Sequence, residues 1–211
     1  MGLSYLVPAR DAEAEIEVKR SRFRCTLRRV DSEEAARAVV EEVRREHWDA
    51  RHHCSAFVLG PPPQPVERSS DDGEPAGTAG APMLEMLRGA GVSDVVAVVT
   101  RWFGGTLLGA GGLVRAYGDA VRAGLADAGT LRRTLVEEHT LAVPHEVAGR
   151  LETDLRAQGI AVLDVSYGAE VRLLLGVEAT TSERLSALVA ELTGGSAAPV
   201  AAGERWVDRP A

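Results

Sequence analysis

A chain of 211 residues with a formal net charge of −7 is long for one compact α/β domain and comfortable for two small ones. Apolar residues make up 45% and aromatics only 4%, so aliphatic packing must dominate any core, and bulk charge offers no attraction to nucleic acid or anionic lipid. Two cysteines, Cys25 and Cys54, exclude a disulfide framework and cannot by themselves fill a four-ligand zinc site. The opening residues lack a basic flank followed by an apolar segment, and no apolar run approaches the ~20 residues that cross a bilayer, so a cytoplasmic protein without membrane contact is expected.

Residues 16–30 read as a strand, with Phe23, Cys25 and Leu27 alternating with Arg22, Arg24, Thr26 and Arg28. Arg20, Arg22, Arg24 and Arg28 would share one face. That face is either solvated and paired with nearby acids or a nucleic-acid-binding stripe. Asp31 or Ser32 then caps a helix over 33–47, with Ala35, Ala36, Val39, Val40 and Val43 on its apolar side and Glu33 or Glu34 favouring the dipole. His52 and His53 lead into a strand over 54–59. Neighbouring residues on a strand point to opposite faces, so these two histidines do not readily chelate one metal. The apolar setting of Cys54 raises its thiol pKa and argues against a nucleophile.

Gly60-Pro61-Pro62-Pro63-Gln64-Pro65 predicts a surface loop of polyproline type. An acidic, glycine-spaced loop follows over 69–82, and Pro82 is expected to open a helix to Gly89. The β-branched run at 94–100 reads as a strand covered on both faces. A glycine-rich turn then leads into a helix over 113–128, which Gly129 stops. From residue 131 the order is strand 136–143, helix 144–158, strands 161–167 and 170–176 around Gly168, helix 181–192, and a last strand near 199–206. That is the β-α-β-β-α-β order of a ferredoxin-like domain. The expected architecture is α+β or α/β in two domains, 1–130 with a mixed sheet and 131–211 as a two-helix, four-strand sandwich.

The chemistry concentrates between Ser69 and Tyr117. A buried strand running through Gly104, Gly105, Gly109, Gly111 and Gly112 into a helix is how backbone N–H groups are placed on an anion, and Arg101 and Arg115 could clamp a phosphate beside it. Gly104 to Gly109 has the Walker A gap, but no Lys-Ser/Thr follows. The dinucleotide fingerprint also lacks its third glycine. Generic anion binding is permitted, no nucleotide is specified, and close helix–strand packing is the plain alternative. In the first loop Asp71, Asp72, Glu74 and Thr78 surround Gly73. The carboxylates could hold a hard cation, although not at EF-hand spacing, or accept hydrogen bonds from loop amides and pair with the arginines. No catalytic residue and no cofactor is assigned.

Long ordered motifs resemble the YigZ/IMPACT family: Lys19-Arg20-Ser21-Arg22-Phe23, His53-Cys54-Ser55-Ala56-Phe57, Ser70-Asp71-Asp72-Gly73-Glu74-Pro75-Ala76-Gly77-Thr78-Ala79-Gly80, and Val99 to Gly105 continuing through Leu108 to Tyr117. Trp102 stands where the family usually has Tyr. The resemblance covers about the first 130 residues by motif and the remainder by pattern and position. It implies a first domain similar to the second domain of a small-subunit ribosomal protein, a fold shared with some small-molecule kinases, and a second similar to the last domain of elongation factor G. The phosphate loop of those kinases carries serines that Leu108 to Leu113 lacks. Eukaryotic relatives regulate translation initiation by competing for an activator of a stress kinase. The expected role is thus a translation-linked regulatory or binding protein that recognises RNA, the ribosome or a translation factor. Its nucleic-acid contact would be at Arg20, Arg22, Arg24 and Arg28, because residues 131–211 carry eight basic against twelve acidic residues, a net of −4. The alternatives are an enzyme that binds a phosphorylated small molecule or nucleotide at the glycine loops, and a protein-docking module. A monomer is compatible with the sequence, which leaves oligomeric state open.

Overall fold

In the computed structural model, which describes residues 3–211, the chain divides into two compact units whose main segments are Tyr5–Arg132 and Arg133–Asp208. The first begins with a short strand, β1 (Ser4–Pro8), whose Leu6 bridges Val92. Its sheet contains β2 (Ala12–Val18), β3 (Ser21–Arg29), β4 (His52–Leu59), β5 (Val66–Ser70) and β6 (Val95–Trp102) in the order β2-β3-β6-β4-β5. Helices α1 (Glu33–Glu46), α2 (Gly80–Gly89) and α3 (Ala110–Ala128) connect them.

Strand β6 explains the layering. Val95, Ala97 and Val99 pack with Phe23, Cys25, Met83, Leu87, Tyr117 and Val121 on the side of α2 and α3, while Val96 and Val98 pack with Ala36, Val43 and Phe57 on the side of α1. A strand buried on both faces must be apolar throughout, and this one is.

Sequence and structure part at four places. The single strand expected over 16–30 is a hairpin, with Val18 opposite Ser21 and the two turn residues Lys19 and Arg20 at φ of 48° and 67°. A two-residue turn with both φ values positive favours Asn-Gly or Gly-Gly, and Lys-Arg carries no such signal. The mixed sheet expected here gives way to antiparallel pairing: β6 lies between β3 and β4 and runs against both, as β2 does against β3 and β5 against β4. Helix α2 starts at Gly80, so Pro82 sits inside its first turn, where its missing N–H would have had no helical acceptor. Strand β5 follows the proline loop as an exposed edge.

The second unit contains β7 (Thr130–Val143), α4 (His145–Ala157), β8 (Ala161–Tyr167), β9 (Val171–Val177), α5 (Ala179–Thr193) and β10 (Val200–Pro210). Its strands lie in the order β10-β7-β9-β8. This is the ferredoxin-like arrangement, in which the two central strands are the first and third of the β-α-β-β-α-β series. Leu141, Leu151, Leu155, Leu173, Leu175, Leu185 and Val189 form its core.

Candidate functional site

The acidic loop is built around its own carboxylates. Asp71 Oδ1 accepts from the N–H groups of Ala79 (3.0 Å) and Gly80 (2.8 Å), and its Oδ2 from Gly77 (2.8 Å). Helix α2 has no side-chain cap at Ala79, so Asp71, reaching forward from eight residues upstream, serves as its N-terminal cap. Burial works against the ionised form of Asp71, but the three N–H donors outweigh it and hold the carboxyl below its ordinary range. Thr78 is buried, and its hydroxyl donates to the Pro75 carbonyl at 2.6 Å.

Asp72, at a φ of +40°, turns the other way. Its carboxylate accepts from Arg44 Nη2 (2.6 Å) and from the His53 backbone N–H (2.7 Å), and its carbonyl accepts from His52 Nδ1 (2.8 Å). The two histidines do leave β4 on opposite faces: His53 Nε2 bonds the His47 carbonyl at 3.1 Å, and burial pushes the pKa of its ring down. Among the described residues, no group of three or more His, Cys, Asp or Glu is arranged to hold a metal ion.

Glu74 forms the buried centre. Its Oε1 accepts from Arg101 Nη1 (2.5 Å) and from the Tyr117 hydroxyl (2.8 Å), and the Glu74 and Arg101 side chains are only 4% and 8% exposed. Tyr117 stands edge-on to Phe23, ring centroids 5.2 Å apart, and burial pushes its phenol far up. Arg101 lies over the faces of Phe23 (5.4 Å) and Phe103 (5.7 Å), with its Nε buried and without a hydrogen-bond partner. The Cys54 thiol donates to the Asp71 carbonyl at 3.0 Å, and burial raises its pKa to about 12, so at neutral pH it is a protonated hydrogen-bond donor.

The glycine loop serves two neighbours. A Cβ on Gly104 would lie 2.0 Å from the Arg20 carbonyl carbon, so only glycine lets this loop rest on the β2–β3 turn, where Gly104 N–H also donates to Ser21 Oγ at 3.1 Å. Arg20 reaches across to Thr106 Oγ1 at 3.2 Å. Gly105 stands in open space at φ +83°. Gly109 caps α3, whose first turn holds Gly111 and Gly112. The N–H of Gly112 donates to the Gly109 carbonyl at 3.1 Å. Arg115 is exposed on α3 and shares no bond with Arg101, which is committed to Glu74. Asp71, Asp72, Glu74, Thr78 and Arg101 thus come together, while Arg115 stands apart from them.

The arginine face of β3 lies against the acids of β2. Arg24 pairs with Glu15 (3.4 Å), and Arg28 with Glu13 (2.9 Å) and Asp11 (3.6 Å). Arg22 makes only a 3.7 Å contact to Glu15 and stacks 4.6 Å from the Trp102 ring, whose Nε1 donates to Asp49 at 3.0 Å. Tyr117, His52 and Arg44 complete the site although nothing local in the sequence marks them for it. Tyr117 and His52 fall within or beside the long motifs, but Arg44 reads only as a last-turn helix cation.

Family models match two segments: the Impact N-terminal domain over residues 19–125, and a domain of unknown function, DUF1949, over residues 141–196. IMPACT family member YigZ of Escherichia coli (strain K12) is 44% identical over 194 residues, covering 92% of this chain and 95% of its own. IMPACT family member YvyE of Bacillus subtilis (strain 168) is 39% identical over 192 residues, covering 91% and 88%. A crystal structure described as that of a hypothetical protein superimposes with a TM-score of 0.63 at 42% identity, over 96% of this chain and 98% of that one. The structure of the two-domain translational regulator Yih1 is 26% identical over 57% of this chain and 46% of that one, with a TM-score of 0.36.

Proposed function

The chain belongs to the IMPACT family, and on that premise we propose that it is a cytoplasmic, translation-linked regulatory protein that works by binding rather than by catalysis. The observation that carries this reading is the Impact N-terminal match over residues 19–125, which takes in both loops of the site, strands β3 to β6, α1, α2 and most of α3. The resemblance of the motifs brings with it relatives that regulate translation initiation. The chemistry of the site supports binding over catalysis. Asp71, Asp72 and Glu74 spend their oxygens on backbone N–H groups, on Arg44 and Arg101 and on Tyr117, and the Cys54 thiol is buried, so these groups hold the loop in place.

The partner we infer is RNA, presented alone or on the ribosome. Arg22 and Arg20 are the exposed arginines of the hairpin, and a cation stacked on an indole, as Arg22 is on Trp102, is a surface that single-stranded bases share readily. Both halves of the chain are net acidic, so the contact is inferred from these exposed arginines of the first unit and not from bulk charge. The test is sedimentation of tagged full-length protein from lysate through sucrose gradients at low and moderate salt, with and without ribonuclease. Salt-sensitive co-migration with ribosomal particles, lost in an Arg20→Glu/Arg22→Glu variant, is expected. Migration at the top of the gradient in every condition would overturn the reading, and co-migration that survives both ribonuclease and the charge reversal would replace RNA with a protein partner.

A further inference from the structure

At the end of the first sheet a cleft of about 210 Å³ is lined by Arg51, His52, Arg101, Phe103 and Leu107. His52 and Arg101 are directly opposed on β4 and β6, so their side chains leave the sheet on the same face. The Asp72 carbonyl can only accept, so His52 Nδ1 carries the proton it donates there, and in the neutral ring Nε2 is then an acceptor without a protein partner. Arg101 is fixed by Glu74 through Nη1, while its buried Nε has no hydrogen-bond partner. Arg51 is exposed and forms no ion pair among the described residues. The two acids bonded to lining residues each already have a cationic partner: Glu74 has Arg101 itself and Asp72 has Arg44.

Beside these nitrogens two large apolar side chains stand in water, Phe103 at 54% and Leu107 at 82% exposure. A pocket of this size is below the roughly 300 Å³ that encloses a drug-sized ligand, so it can take only the polar head of one, with a flat body resting outside on the phenyl ring. The head must be anionic to suit Arg51 and Arg101, and must offer a hydroxyl donor to suit His52 Nε2. A sugar phosphate that carries a planar base meets all three demands.

We propose that this cleft binds a nucleoside monophosphate unit, with the phosphate on Arg51 and Arg101, a ribose hydroxyl donating to His52 Nε2 and the base stacked on Phe103. The unit has two sources, a free mononucleotide or one unpaired nucleotide of an RNA strand, and only the second rests on the translation-linked reading above. The arginine face of β3 and the glycine amides at the start of α3 take no part.

The experiment is calorimetric titration of the full-length protein with UMP, AMP, dUMP and a pentameric oligouridylate with its deoxy counterpart. Arg51→Ala and Phe103→Ala are the test variants because both side chains are exposed and their loss leaves the buried Glu74–Arg101 pair intact. Arg115→Ala is the control. We expect ribonucleotide binding that falls about tenfold in each test variant, since stacking and a single phosphate contact are each of that order, that is unchanged in the control, and that is weaker for the deoxy forms. Mononucleotides binding as tightly as the pentamer identify the free nucleotide as ligand; binding that needs the pentamer identifies the strand. No heat with any ligand up to about 10 mM, weaker than any physiological affinity, overturns the proposal, as does binding that is undiminished in both test variants. Either negative result leaves the gradient sedimentation to be decided by Arg20 and Arg22.

Discussion

Replacing Glu74 by Gln removes the counter-charge of Arg101 while keeping an oxygen for the Tyr117 hydroxyl. Both members of the pair are more than nine-tenths buried, so water does not screen the loss. Breaking such a pair from one side costs about 3–5 kcal/mol, because the desolvated partner stays charged. For a unit of this size that is a fall of roughly 10–20 °C in melting temperature. Removing both charges should cost less. In Glu74→Leu/Arg101→Met the only orphan is the Tyr117 hydroxyl, worth about 1–3 kcal/mol. Trp48 and Trp102 lie in the first unit and Trp206 in the second, so urea unfolding followed by tryptophan fluorescence in a Trp206→Phe background reports on the unit that carries the pair. The expected order of stability is wild type, then the double variant, then Glu74→Gln. A cost for Glu74→Gln below about 1 kcal/mol, the value of a surface pair, would mean that solvent screens this pair as it does an exposed one and would refute the reasoning.

Three further outcomes are expected. Cys25 and Cys54 are both buried with thiols raised to about 12, so Ellman's reagent at pH 8 should titrate neither in the native protein and both in urea. Gly104→Ala should cost a few kcal/mol through its clash with the Arg20 backbone, whereas Gly105→Ala, in open space at φ +83°, should cost about 1 kcal/mol; thermal melts separate the two. Burial disfavours the charged form of His53. The unfolded chain therefore binds its proton first, and stability should fall as pH drops through the ordinary value of 6.5 toward the lower folded one. A His53→Gln variant should lose less over that window in urea titrations.

What the sequence made legible depended on how local the signal was. The β-branched run of β6 and the ferredoxin-like half were readable because burial on both faces and the alternation of strand and helix periods are written in consecutive residues. The hairpin at Lys19-Arg20 was not, since its turn lacks glycine and its support comes from Gly104, more than eighty residues away. The loop carboxylates and Arg101 could be picked out by type, but which acid takes which partner could not. Asp71 reaches forward to cap α2, Asp72 reaches back to α1, and Glu74 turns inward to Arg101 and Tyr117, so each choice is made by tertiary packing. The same holds for the arginines of β3: their alternation was visible, and their counter-ions lie on the strand across the unseen turn.

That pairing makes the arginine face testable on its own. Arg22, Arg24 and Arg28 face Asp11, Glu13, Glu15 and Glu17 across the β2–β3 register, so the face carries more acid than base. Arg24 and Arg28, each within 3.4 Å of a carboxylate, have little field left for a phosphate, whereas Arg22 is half exposed and held mainly by Trp102. Arg24→Ala and Arg28→Ala should change affinity for single-stranded RNA by less than about twofold, and Arg22→Ala should weaken it severalfold. Neutralising the acids, in Asp11→Asn/Glu13→Gln/Glu15→Gln, should release both paired arginines. The slope of log Kobs against log salt should then steepen by about 0.7 for each arginine that gains a phosphate. A slope unchanged in the neutralised variant, or an Arg24→Ala loss as large as that of Arg22→Ala, would show that the carboxylates do not hold these arginines in solution and that the face is open to a polyanion after all.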